Sequence, residues 1–94
     1  MKIEFIGPLK KVAGVSGLEL TIDGEKKLLD VLKMLPESLK ERILESSGEI
    51  SPEIMVLVNG VEVKSLGLEN MHVKESDRII LIPIIHGGAF RDFN

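Results

Sequence analysis

The chain has no cysteine among its 94 residues. That absence excludes a disulfide framework, a thiolate metal site and a thiol nucleophile supplied by this chain. It also lacks an excess of positive charge: the formal net charge is −3, whereas domains that bind phosphate backbones are clearly basic. The doublets Lys10-Lys11 and Lys26-Lys27 therefore read as solvated surface, and no nucleic-acid partner is expected. No hydrophobic run is long. The longest, Ile79 to Ile85, is interrupted by Pro83 and falls far below the roughly 18 residues that suggest a membrane helix. Met1-Lys2 leads straight into an alternating segment with no apolar leader. The expectation is a cytoplasmic protein with no membrane partner.

Histidine is scarce too. His72 and His86 are the only two, 14 residues apart and with no carboxylate at convincing ligand spacing, so no metal is expected. Glu37, Glu41 and Glu45 recur every fourth residue, which makes a wet helix face with mild repulsion and not an acid and base paired in a cleft.

What the chain does have is enough apolar residue for one small core, 44% of the total. A domain this short buries only about 60–65% of its unfolded surface, so those residues must be well placed. In KIEFI, Ile3 and Phe5 alternate with charged neighbours, predicting a strand over 2–6. Gly7-Pro8 interrupts it, LKKVAGVSG reads as a loop, and LELTI resumes alternation with Leu18, Leu20 and Ile22 on one face. The period then changes: Leu28, Val31, Leu32 and Leu35 form one helical stripe, with Asp23 suited to cap the helix. Pro36 breaks that helix and opens a second short one over PESLKERILES, anchored by Leu39, Ile43 and Leu44.

IMVLVNGVEV places β-branched residues on both sides of Asn59-Gly60, a pair favoured in two-residue hairpin turns. It predicts strands over 54–58 and 61–63. SLGLENMHVKESD is a connection without sustained periodicity, and RIILIPI reads as a central strand buried on both faces, with pairing failing close to Pro83. The predicted fold class is α+β: a mixed sheet of about five strands covered by one main helix plus a short helix. The folded unit is expected over 1–86, with residues 87–94 as a tail.

This order, with a closing strand running into Gly87-Gly88, resembles the β-grasp or ubiquitin-like fold. FIGPLKKVAG, VLVNGVEV and ESDRIILIPIIHGG are similar to the first loop, middle hairpin and closing strand of the small subunit of molybdopterin synthase and its relatives, the ubiquitin-like sulfur carriers of the MoaD/ThiS type. The resemblance implies a carrier more than an enzyme. An E1-like adenylating partner spends ATP on the carboxylate of the second glycine, sulfur replaces the adenylate, and the thiocarboxylate passes it to the molybdopterin synthase large subunit or another acceptor. On this sequence Gly88 would bear the sulfur and Gly87 would keep the tail slender, because glycine offers no side chain and φ values closed to other residues. No cofactor would be bound by the chain itself.

The family pattern ends at the second glycine, whereas here Gly88 is joined to AFRDFN. Its carbonyl is held in an amide to Ala89, so activation requires a processing protease to remove residues 89–94. Alternatively the extension is kept, Phe90 and Phe93 pack on the body or on a partner, and the protein is a non-covalent interaction module. A thiamine-pathway or tRNA sulfur carrier and a ubiquitin-like modifier joined to target lysines are the other readings. His86 either contacts a partner or is an exposed tail residue. Ile84 and Ile85 either close the bottom of the core or dock a partner.

Overall fold

In a computed structural model of the protein, residues 1–84 are described. The first strand, β1 (Lys2–Phe5), forms where alternation places Ile3 and Phe5 inward, both fully buried. The expected loop that follows instead contains a helix, α1 (Pro8–Ala13). Pro8 stands at its first position, where a missing N–H costs nothing, and Gly14 closes it in the left-handed region with its N–H donating to the Lys10 carbonyl at 2.8 Å. The glycines that suggested a loop are this helix's boundaries. Leu9 packs it on the core.

Strand β2 (Gly17–Glu19) pairs antiparallel with β1, Ile3 opposite Leu18. It is shorter than the alternation of LELTI suggests, although its pairing continues for one residue more: Leu20 and Met1 exchange both backbone hydrogen bonds, at 2.8 and 2.7 Å. Ile22 is nevertheless buried.

Asp23 does not cap the next helix. A strand, β3 (Glu25–Lys27), intervenes, and α2 (Leu28–Leu32) begins directly from it with Lys27 at the capping position. The first N–H of α2 is satisfied by backbone: Leu28 N–H donates to the Met71 carbonyl at 2.9 Å. Met71 leads into β6 (His72–Lys74), which pairs antiparallel with β3 in a separate two-stranded sheet. Strand β6 lies inside the segment read as aperiodic. Of its three residues only Val73 is buried, too little for a period to show.

The stripe Leu28, Val31, Leu32 and Leu35 is buried throughout, although α2 itself ends at Leu32 and Leu35 sits in a following turn. Pro36 stands immediately before α3 (Glu37–Ile43), and its carbonyl accepts the N–H groups of Leu39 and Lys40. Leu39, Ile43 and Leu44 are buried as expected. The helical layer is thus three short helices in place of one main helix and a short one.

Strands β4 (Ile54–Val58) and β5 (Val61–Glu62) form the expected hairpin. Asn59 and Gly60 have φ of 51° and 83°, the positive pair that a type I′ turn demands. The closing strand β7 (Arg78–Pro83) pairs parallel with β1 and antiparallel with β4, giving a five-stranded sheet in the order β2-β1-β7-β4-β5. This mixed sheet, with its first and closing strands parallel at the centre, is the β-grasp arrangement.

Two expectations for β7 are corrected. It is not buried on both faces: Ile79 and Leu81 are fully buried, but Ile80 and Ile82 are half-buried on the opposite face. The helices cover one side of the sheet only. Nor does pairing fail at Pro83, which still lies opposite Ile54, and the Ile84 N–H donates to the Glu53 carbonyl at 2.7 Å. Proline lacks a donor, but its carbonyl side and the next N–H remain available to the neighbour.

Candidate functional site

The sequence places its candidate chemistry just past β7. Of the residues singled out, Ile84 lies within the described structure, whereas Ile85, His86, Gly87 and Gly88 lie outside it. What can be built from the residues upward is the platform from which that segment departs.

Its base is the central strand. The carbonyl of Leu81 accepts the Ile6 N–H at 3.0 Å, and Glu53 holds Ile84 on the other side. Neighbours on both sides fix the direction in which the chain leaves. Residues opposite one another on adjacent strands share a face, so on the side away from the helices Ile80 lies between Glu4 and Leu57, and Ile82 lies beside Met55. Ile84, 38% exposed, continues this strip. It stands outside the core, so of the two readings of Ile84 the packing one is overturned.

Charged groups rim the strip. Arg78 is paired with Glu4 through its Nε at 2.8 Å and its second guanidinium nitrogen. Near the exit, the Glu62 carboxylate accepts the backbone N–H groups of Lys64 and Ser65 at 2.9 and 3.2 Å. The Ser65 side chain and these N–H groups hold its carboxyl below the usual range, opposed in part by desolvation. Beside Ile84 lies a shallow cavity of about 270 Å³ lined by Pro52, Ile54, Met55, Glu62 and Lys64.

At the far end of the strip the two turns are clasped. Asn59 Nδ2 donates to Asp77 Oδ1 at 2.9 Å, and the Arg78 N–H donates to Asn59 Oδ1 at 3.0 Å. Asp77 Oδ2 also accepts the Lys74 N–H at 2.8 Å. The Asn59 amide is the chief cause that holds the Asp77 carboxyl below its ordinary value, with the Lys74 N–H adding to it.

Among the described residues no group of three or more His, Cys, Asp or Glu side chains could hold a metal ion. The triplet Glu37, Glu41 and Glu45 is exposed, with Glu37 in an ion pair with Lys40 at 3.3 Å. Lys10 and Lys11 are exposed on the last turn of α1. Among the described residues no helix is long and apolar enough to cross a membrane. The half-buried sheet face was missed by the sequence reading, although the signal existed: Ile80 and Ile82 alternate with Ile79 and Leu81, and a covering for only one side was visible.

Compared with known proteins, residues 1–88 match the model of the family described as Urm1, ubiquitin related modifier. The chain belongs to the Urm1 family. The match stops at Gly88, the second glycine of the pair, and leaves residues 89–94 outside it. Within the family setting, the chain is 35% identical to a candidate sulfur carrier protein of Archaeoglobus fulgidus, over 81% of this chain and 91% of that one. It is 28% identical to small archaeal modifier protein 3 of Haloferax volcanii, over 94% of this chain and 98% of that one. Among solved structures it is similar to small archaeal modifier protein 1 of Methanosarcina acetivorans, with 29% identity, a TM-score of 0.75 and coverage of 93% and 94% of the two chains. The chain is thus one of the ubiquitin-like sulfur carriers or modifiers.

Proposed function

We propose that this chain is a sulfur carrier activated at Gly88 after removal of residues 89–94. A carboxylate oxygen of Gly88 attacks the α-phosphate of ATP in an E1-like partner, pyrophosphate leaves, and a sulfur nucleophile then displaces AMP to give the thiocarboxylate. The chain contributes no catalytic side chain. It contributes a narrow acyl terminus and a surface by which the partner holds it. Ile82, Met55 and Ile84 are the docking strip, Ile85 and His86 follow it in sequence as further partner-binding residues, and Gly87 lets the terminus enter a confined site. ATP belongs to the partner, and this chain holds no cofactor of its own.

The single observation that carries this reading is the end of the family match at the second glycine, six residues short of Asn94. The central placement of β7, hydrogen-bonded up to Ile84, supports it: the chain leaves the sheet beside an apolar strip. The acceptor that the loop, hairpin and tail motifs favour is the large subunit of molybdopterin synthase. A second reading, conjugation to target lysines through Gly88, is favoured by the similarity to a protein named as a modifier.

The test is to incubate the full-length chain and the form ending at Gly88 with ATP and the cell's adenylating protein. The Gly88-ended form is expected to yield an adenylate, and Ile84→Asp in that form to lose it with unchanged melting. Reaction of neither form removes the carrier role. Thiocarboxylate at Gly88 in protein from the cell supports sulfur transfer, and isopeptide-linked conjugates support the modifier.

A further inference from the structure

The carrier reading leaves one cleft of the described structure unused. It has a volume of about 420 Å³ and lies where the connection from α3 to β4 meets the start of α2 and the connection from β5 to β6. Leu29, Ile50 and Pro52 give it an apolar lining, and Glu45, Glu49, Glu69 and Lys64 a charged one. Three carboxylates thus face one ammonium, and that ammonium is engaged elsewhere: Lys64 Nζ donates to the Ile50 carbonyl at 3.2 Å. Glu49 accepts the Ser47 hydroxyl at 3.3 Å, and among the described residues none of the three carboxylates is in an ion pair. Of the cations near Glu45, Lys40 is paired with Glu37 and Lys33 lies near Gly48, and both line a separate depression. An exposed apolar side chain stands in the same connection. Leu66, at 62% the most exposed large hydrophobic among the described residues, sits between the cleft-lining Lys64 and Glu69. Slack in the loop does not explain it: the Gly67 N–H donates to the Lys64 carbonyl at 3.1 Å, the Leu68 N–H to the Val63 carbonyl at 2.9 Å, and Gly67 takes a φ of 67° to close the turn.

We propose that this cleft docks a basic segment of a partner protein. A long cationic side chain of that segment lays its aliphatic stem on Leu29, Ile50 and Pro52 and places its charge among Glu45, Glu49 and Glu69, as amphipathic cations do on apolar surface. An apolar neighbour in the segment covers Leu66. Charge decides the occupant. An acidic or phosphate-bearing partner would meet three carboxylates and a single ammonium already engaged, and an uncharged side chain would desolvate those carboxylates with nothing in return. A metal ion is not the occupant, because among the described residues no acidic group is arranged to hold one. The cleft shares Pro52 and Lys64 with the cavity beside Ile84. A partner seated on the apolar strip therefore reaches it past the start of β4; that joint use rests on the carrier reading, whereas the site itself does not. Contacts of this kind speed and select an encounter more than they tighten it, and they weaken as salt is added.

The site is tested by amide NMR titration of the full-length chain with the capped peptide Ser-Leu-Lys-Leu-Lys-Ser, its glutamate counterpart Ser-Leu-Glu-Leu-Glu-Ser, and spermidine. The lysine peptide is expected to shift the amides of Glu45, Glu49, Ile50, Glu69 and Asn70 saturably. The paired change Glu45→Gln with Glu69→Gln is expected to weaken this binding roughly tenfold, and Leu66→Ser to weaken it several-fold. Glu37→Gln with Glu41→Gln, which removes the same net charge from exposed positions of α3, is expected to leave it unchanged. None of these side chains belongs to the core, and unchanged amide positions across the five-stranded sheet verify that each variant is folded. Equal losses in the two paired variants would overturn the site, since net charge alone would then be sensed. So would the absence of shifts, shifts spread over the whole acidic surface, equal binding of the glutamate peptide, or indifference to Leu66→Ser. Spermidine binding as tightly as the lysine peptide would also overturn it, by making the cleft a trap for small cations. No readout uses ATP or an activating enzyme, so this site can stand where adenylation fails and fall where adenylation succeeds.

Discussion

Gly17 shows how closely single residues are held. It lies on β2 opposite Glu4, and a Cβ built on it would stand 2.9 Å from the backbone carbonyl oxygen of Ile3. Backbone cannot move aside as a flexible side chain would. Gly17→Ala is expected to push β2 from β1 and cost about 1–3 kcal/mol, the usual range for overpacking. In a domain of this size that is a fall in melting temperature of roughly 4–8 °C per kcal/mol, readable by calorimetry. Sequence reading saw Gly17 only as a turn residue, because a demand for bare backbone leaves no mark beyond the glycine itself. At the opposite extreme, the buried stripe Leu28, Val31, Leu32 and Leu35 was legible residue by residue, since its spacing is set by the helix and not by distant neighbours. Ile84 fell between the two, and only the placement of the helices on one sheet face decided that it is exposed.

Among the elements, those with strong local chemistry were read correctly and those made by distant pairing were not. The β4–β5 hairpin was legible because Asn-Gly meets the demand for two positive φ angles. The pair β3–β6 was not, because its register, Lys26 opposite Val73, joins segments far apart in sequence and each strand has three residues. Helix α1 was misread for a different reason: its bounding Gly7-Pro8 and Gly14 are also turn signals. The hairpin carries a prediction of its own. Asn59 tolerates its left-handed φ and clasps Asp77 and the Arg78 N–H, so Asn59→Ala loses both the conformational tolerance and the clasp. A loss of about 1–3 kcal/mol is expected in denaturant unfolding, with Asn59→Gly recovering part of it by relieving φ alone.

At the scale of the molecule, the clasp and the carboxylates make stability depend on pH. Asp77 is held below its ordinary value by Asn59 first, and Glu75 by the Ile22 N–H first, with the Met1 amine adding to the latter. A carboxylate with a depressed folded value binds its proton more weakly in the native state than in the unfolded one. Its contribution is therefore present above the ordinary carboxylate range, about pH 4, and is lost as pH falls through the folded value. The denaturant midpoint is expected to be level from pH 7 to 5 and to fall below about pH 4, less steeply in Asp77→Asn. Net charge and the lack of cysteine bear on which chemistry to expect of the chain, but say nothing of where the apolar strip lies.

The parallel pairing of β1 with β7 has one more consequence. Strand β1 has its parallel neighbour among residues 78–83, so the sheet cannot close until that later stretch has been made. Synthesis and assembly are thereby ordered in time. A chain that stops before residue 78 lacks the strand that joins β1 to β4, and its two halves have no common sheet.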